Sequence, residues 1–189
     1  MGTNAPAVDG IRLAGSPPVG LVLETPLGWI GAVAHNSRLT AVTLPVPTED
    51  AAVAACGGDV EFGRPNSLLT SLADDLRRYF GGEPVQLGRH PVDLSGHPPF
   101  RRRALLAARE IRCGEIRTYG WIARRAGRPG AARAAGQAMS RNPIPLVIPC
   151  HRVIAAGGRL GGYGGGLDMK CTLLRLEGID CDLRGISHG

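Results

Sequence analysis

The sequence predicts an α+β chain in two parts: a small α/β unit over residues 19–94, and a helix-rich unit over residues 95–180 that contains a helix-turn-helix. Three observations predict it. Short aliphatic runs separated by turn residues fill the first part. Apolar stripes at helical spacing, bounded by Gly and Pro, fill the second. Charge divides at the same place: residues 1–94 carry six basic and ten acidic residues (net −4), whereas residues 95–189 carry 16 basic and six acidic (net +10). Basic charge gathered in one half points to a polyanion partner met by that half. All basic residues but Lys170 are Arg, a bias that a G- and C-rich genome produces by itself.

The 189 residues are 43% hydrophobic and 20% charged, the proportions of an ordinary globular protein. No apolar run approaches the roughly 20 residues that span a bilayer, and the N-terminus lacks a basic-then-apolar signal pattern. The expectation is a cytoplasmic protein with no membrane partner. Its five cysteines, Cys56, Cys113, Cys150, Cys171 and Cys181, are odd in number and scattered without a CxxC spacing. Neither a disulfide framework nor a local zinc site is expected. Nothing in the pattern signals an oligomer, so a monomer is expected.

Residues 1–18, rich in Gly, Pro and Ala, read as a disordered tail. Val19 to Leu23 and Trp29 to Ala34, with Pro26-Leu27-Gly28 between them, read as a β-hairpin, and Leu39 to Leu44 as a third strand. Pro65-Asn66-Ser67 opens a helix with Leu68, Leu69, Leu72, Leu76 and Tyr79-Phe80 on one face, ended by Gly81-Gly82. Val85 to Val92 reads as another strand. His35, Cys56 and His90 have the chemistry of metal ligands, but without ligand spacing they read as surface and core residues. Ser95 to Pro99 forms the boundary between the two parts.

Phe100, Ala104, Ala107, Ala108 and Ile111 mark the buried stripe of a helix. Thr118 is placed to cap a short helix holding Tyr119, Trp121 and Ile122. Gly127-Arg128-Pro129-Gly130 is a turn, and Ala131 to Ser140 a second helix. Many such helix pairs bind nothing, so the spacing alone does not decide for DNA. The second helix has small side chains around one Arg, Arg133. These residues either pack on the neighbouring helix or permit close approach to a partner.

Asn142-Pro143-Ile144-Pro145-Leu146-Val147-Ile148-Pro149-Cys150-His151-Arg152-Val153 organises the chain. Its prolines forbid regular helix, so a Cys-His pair is delivered from a rigid, largely buried segment. A thiol attacks only as thiolate, and a neighbouring imidazole is a common means of removing its proton. Taken alone the dipeptide is weak evidence, since a buried free Cys beside an incidental His is the commoner arrangement. The glycine-rich stretch Gly157 to Gly166 lacks a following Lys-Ser/Thr and does not fit a nucleotide loop; it reads as a wing-like hairpin and then a flexible lid. Leu167 to Gly178 is a closing helix with Met169, Leu173 and Leu176 inward. Residues 181–189 read as a frayed tail.

Pro149-Cys150-His151-Arg152-Val153, preceded by Asn142-Pro143 and followed by a Gly-rich turn with Tyr163, resembles the O6-alkylguanine-DNA alkyltransferases. The resemblance runs without a gap from about Phe100 to Gly178. It departs at Arg101 and Ala104-Leu105, where members usually carry Gln and a Val-Trp pair, and at Gly164, where many carry Ser. It implies a ribonuclease H-like N-terminal domain, a winged helix-turn-helix in the C-terminal one, and no cofactor. It also implies a partner, double-stranded DNA containing O6-alkylguanine, bound in the minor groove without strong sequence preference; activity on O4-alkylthymine stays open. Some relatives bind zinc in the N-terminal domain, but the residues for it do not line up here, and no metal is expected.

The resemblance also implies roles. Cys150 accepts the alkyl group irreversibly, once per molecule; His151 is its base, acting through a water; Glu177 holds the imidazole; Asn142 buttresses the turn; and Tyr119 presses on a phosphate and offers a hydroxyl near the guanine. Arg133 fills the gap left by the extruded base, with Ala132, Ala134 and Gly136 permitting close approach to the groove. Val153, Tyr163, Gly164 and Met139 line the guanine pocket. Two other classes compete. A non-catalytic damage sensor flips the same base but lacks the Cys, and a Cys-His hydrolase needs an oxyanion hole and leaves Arg133 without a role.

Overall fold

The computed structural model describes residues 17–186. The expected N-terminal tail therefore lies outside the described residues except for its last two, as does the end of the expected C-terminal tail, residues 187–189. The first part is built on a four-stranded sheet of order β3-β2-β1-β4, with β1 at Val19–Thr25, β2 at Gly28–His35, β3 at Arg38–Val42 and β4 at Glu61–Phe62. The hairpin forms in the expected register, from Thr25 opposite Gly28 to Val19 opposite Ala34. Asn36 and Ser37 join β2 to β3 with φ of 48° and 58°, the left-handed pair that matches strand twist in a two-residue turn. Residues Ile30 to Ala34 of β2 are all buried, because the strand is covered on both faces.

One cover was not expected. Helix α1, Glu49–Cys56, is capped by the Thr48 side chain accepting from Ala51 N–H and carries Glu49 and Asp50 in its first turn, both favourable at a helix N-terminus. It lies so close to β2 that Gly31 has no room for a Cβ against Cys56 and the Ala52 carbonyl. The other cover is helix α2, Ser67–Phe80, opened by Asn66 accepting from Leu69 N–H at 3.0 Å and burying Leu69, Leu72, Leu76, Tyr79 and Phe80. The strand expected at 85–92 does not form. Pro84, Gly88 and Pro91 interrupt it, leaving one 3-10 turn at Leu87–Arg89 and an isolated bridge from Val92 to Leu39.

After the segment containing Val92, the next helix starts at Pro99. Helix α3, Pro99–Arg109, buries Ala104, Leu105, Ala107 and Ala108, so the divergent Ala104-Leu105 pair is fully absorbed in the core. A two-residue strand β5, Arg117–Thr118, leads into α4, Tyr119–Arg125, whose N-cap is the Thr118 hydroxyl accepting from Trp121 N–H. Gly127 takes φ 78° after it, and Arg128 N–H returns to the Ala123 carbonyl at 2.9 Å, a left-handed helix stop. Helix α5, Ala132–Ser140, packs against α4 with Ala135, Ala138 and Met139 buried.

After the Cys-His segment, strand β6, Val153–Ile154, pairs in parallel with β5. The expected wing-like hairpin is absent: a 3-10 turn occupies Ala156–Gly158, and no strand follows before α6, Gly166–Leu176. Left-handed φ at Gly157, Gly158 and Gly161 breaks the extended runs that a hairpin needs. The expected frayed tail is also corrected. β7, Cys181–Asp182, and β8, Gly185–Ile186, form a small hairpin, and Cys181 is joined to Cys171 by a disulfide. The pair was missed because ten residues separate its members without a recognisable spacing. Asp182 turns the hairpin by accepting from the N–H groups of Arg184 and Gly185.

The two parts share one core. A single cluster of buried apolar residues runs from Leu23 through Tyr79 and Leu105 to Cys150 and Leu173. No helix among the described residues is long and apolar enough to cross a membrane.

Candidate active site at Cys150

Cys150 is presented by tight local turns. Cys150 N–H donates to the Ile148 carbonyl at 2.8 Å across Pro149, whose φ −79° and ψ 67° form an inverse γ-turn. Leu146, three residues earlier, is held at φ 69° although it is not glycine, with Val147 N–H bonded to the Pro145 carbonyl. Such backbone persists only where the surroundings over-determine it. Here Ile144, Leu146, Val147 and Ile148 are each no more than 1% exposed. Asn142 completes the frame: its amide donates to the Ile148 carbonyl at 2.8 Å and to Cys150 Sγ at 3.1 Å, and its oxygen accepts from Ile144 N–H. Asn142 thus bonds both the turn and the sulfur.

Cys150, His151 and Arg152 form one 3-10 turn, all buried. His151 Nε2 lies 2.8 Å from Glu177 Oε1. A carboxylate only accepts, so Nε2 carries the proton and Nδ1 keeps its lone pair. Nδ1 is buried and has no partner among the described residues.

Glu177 is the hub. Besides His151 it accepts from Arg152 Nε at 2.8 Å, Arg152 Nη2 at 2.9 Å and the Tyr79 hydroxyl at 2.7 Å. Burial pushes its carboxyl upward, but the bonds from His151 and Arg152 outweigh this and hold it at about 2. Tyr79 and Arg152 were not foreseen. In sequence Tyr79 reads as part of a helix's apolar face and Arg152 only as a member of the Cys-His motif, and their partner lies 98 and 25 residues away.

Burial pushes the Cys150 thiol above its ordinary range, opposed by the Asn142 amide and the Lys170 charge. Burial also pushes His151 below its ordinary value, opposed by Glu177. At rest the pair is a neutral thiol beside a neutral imidazole. Lys170, a third residue not foreseen, is fully buried and donates to the carbonyls of Val153 and Leu160 at 2.6 Å each; burial brings it down to about 8.

An open cavity of about 830 Å³ is lined by Tyr119, Arg124, Ala132, Arg133, Gly136, Tyr163 and Gly164 among others, with Cys150 outside its lining. Arg133 is exposed on α5, with Ala132 and Gly136 on the cavity side; Ala134 is half-buried and outside the lining. Tyr119 donates to the Gly162 carbonyl at 3.2 Å, holding the glycine-rich stretch near the start of α4. Gly161 sits so close that a Cβ there would meet the Tyr119 ring at 2.8 Å. Gly164 has open space around it. Met139 and Val153 are buried rather than cavity-lining. Val153 N–H is bonded to the Cys150 carbonyl, and its own carbonyl already accepts from Lys170. Among the described residues no group of three His, Cys, Asp or Glu is placed to hold a metal ion; His90 instead pairs with Asp75 at 2.8 Å.

The chain is similar to proteins of known family. Residues 99–179 match the family described as 6-O-methylguanine DNA methyltransferase, DNA binding domain. The chain is 41% identical over 155 residues to the methylated-DNA–protein-cysteine methyltransferase of Mycobacterium leprae, covering 82% of this chain and 89% of that one. It is 47% identical over 107 residues to the protein of the same name from Shigella flexneri, covering 57% and 62%. Among solved structures, it superposes on Mycobacterium tuberculosis OGT in complex with DNA with a TM-score of 0.67 at 36% identity, covering 84% of this chain and 92% of that chain. The O6-methylguanine DNA methyltransferase of Methanococcus jannaschii gives 0.62 at 31%, covering 86% and 95%. The chain belongs to the methylated-DNA–protein-cysteine methyltransferase family.

Proposed function

We propose that this protein repairs O6-alkylguanine in double-stranded DNA by moving the alkyl group to Cys150 in a single irreversible turnover. The observation that carries this reading is the buried Cys150, bonded by the Asn142 amide and adjoining the His151–Glu177 pair; the cavity lined by Arg133, Tyr119 and Tyr163 belongs to the same part of the chain. The Cys150 proton passes to His151 Nδ1 through an intervening water, since Nε2 is committed to Glu177. The thiolate attacks the alkyl carbon, the carbon–O6 bond breaks, and guanine leaves with the electron pair and takes up a proton. The product thioether stays on the protein, which needs no cofactor.

The target atom is inaccessible in a stacked base, so the nucleotide must be flipped out at a cost of a few kcal/mol. Arg133 stabilises the vacated stack, and Ala132, Ala134 and Gly136 let α5 approach the minor groove. Tyr119 presses on a phosphate beside the flipped nucleotide. Tyr163 and Gly164 line the guanine pocket, and Met139 and Val153, buried outside the cavity lining, support it from behind. In this reading α4, the turn and α5 are the helix-turn-helix, with the stretch after β6 in the place of a wing, and residues 19–94 are a ribonuclease H-like domain. The net charge of +10 over residues 95–189 supplies sequence-independent phosphate affinity. We place the protein in the cytoplasm, acting as a monomer; O4-alkylthymine is a second substrate to be tried in the same assay.

The test is intact-protein and peptide mass spectrometry after mixing with duplex DNA holding one O6-methylguanine. One methyl group on Cys150 at one-to-one stoichiometry, absent from Cys150→Ser, is the expected result. Tight lesion binding with no mass gain would replace transfer by damage sensing.

A further inference from the structure

We propose that Tyr79, supplied by α2 of the first part, is a positioning residue for alkyl transfer: its hydroxyl fixes the Glu177 carboxylate so that Oε1 faces His151. The inference rests on the transfer reading above and gives the α/β part, which otherwise holds no group of the reaction, a direct share in it.

Glu177 is awkwardly placed for an anion. It caps the C-terminal end of α6, where the helix dipole is unfavourable to negative charge, and its side chain is 1% exposed. It therefore needs donors on several sides, and the donors present differ in kind. Arg152 supplies two bonds and a full positive charge. That charge steadies Glu177 but also opposes protonation of His151, the very step in which the imidazole takes the Cys150 proton. Tyr79 supplies a short bond, 2.7 Å, to Oε1, the same oxygen that His151 Nε2 contacts, and brings no charge. It restrains the carboxylate without repelling an imidazolium.

Tyr79 is also built to be rigid. It is 1% exposed, lies edge-on to Phe80 with ring centroids 5.2 Å apart, and sits one turn after the buried Leu76. Burial and the charge of Glu177 both keep its phenol protonated, so it stays a donor throughout the working pH range. A buried tyrosine hydroxyl needs some partner. The partner here is the one carboxylate bonded to the imidazole next to the nucleophile, 98 residues along the chain.

The test measures single-turnover transfer from O6-methylguanine duplex DNA at saturating concentration, with binding to the same duplex measured separately. Tyr79→Phe keeps the ring and removes only the hydroxyl. Its transfer rate constant should fall roughly ten-fold, equivalent to about 1.4 kcal/mol, while the lesion-DNA Kd and denaturation midpoint stay close to wild type. The same substitution in a Glu177→Gln background should cause no further slowing, because the group it positions is gone. An unchanged rate constant, a slowing that persists undiminished in the Glu177→Gln background, or one explained by unfolded protein would each overturn the proposal in favour of a purely structural tyrosine. Wild-type protein that gains no methyl group would overturn the transfer reading itself, and this inference with it.

Discussion

Two buried carboxylates in this molecule are surrounded almost identically. Asp75 on α2 accepts from Arg89 at 2.7 Å and pairs with His90 at 2.8 Å. Glu177 accepts from Arg152 at 2.8 Å and pairs with His151 at 2.8 Å. Both have their carboxyls held below the usual range. The Arg and His distances alone do not separate them. What separates them is the far side: the Arg89 side chain is 59% exposed and Arg152 only 2%, and His151 adjoins Cys150 whereas His90 adjoins Pro91. A carboxylate–imidazole pair acquires chemical meaning from what the free ring nitrogen faces. The Asp75 pair ties α2 to the segment after it.

The comparison can be broken most sharply by swapping amide for carboxylate in each cluster. Glu177→Gln should slow alkyl transfer roughly a thousand-fold, about 4 kcal/mol of barrier, as read by mass gain over time. Asp75→Asn should leave that rate untouched. A loss of transfer in Asp75→Asn would show the two clusters to be coupled rather than merely alike.

Acid stability is the next largest effect. The Glu177 carboxyl is held at about 2 against an ordinary 4.5, so its contribution is present above pH 4.5 and lost as pH falls toward 2. The amount is about 3 kcal/mol, and denaturant titrations of wild type and Glu177→Gln at several pH values in that window should converge as pH falls. Asp75 acts in the same direction, and at neutral pH Asp75→Asn should cost about 1–3 kcal/mol, because Arg89 and His90 lose a charged acceptor. The smallest effect on stability belongs to Arg89→Ala, since an exposed partner is screened by water. Thermal denaturation resolves this difference, and transfer should not change.

The strands of the hairpin, α2, α3 and the Thr118 cap were legible because their signals are local: alternation, an apolar stripe, a capping side chain. The Cys-His segment was legible because its prolines and Asn142 lie within ten residues of the sulfur. Helix α1 was not, since its small alanine-rich face shows little amphipathic stripe, although Thr48 and the acids after it were a usable cap signal. The strand expected at 85–92 failed because apolar character was read without weighing Pro84 and Pro91. Tyr79, Arg152 and Lys170 were hidden for a different reason. Their importance lies in burial against distant groups, and an Arg or Lys with no local partner reads as solvated surface.

The Cys171–Cys181 bond encloses Glu177 in a covalent ring. Within that ring Arg175 is exposed, the kind of position a trypsin-like protease reaches. A cut there would leave both ends attached to the same molecule, so the carboxylate would stay tethered beside His151 after the backbone was severed. On a gel the nicked protein would run as a single band until a thiol reductant split it in two. Cleavage of this segment and release of its residues are separate events.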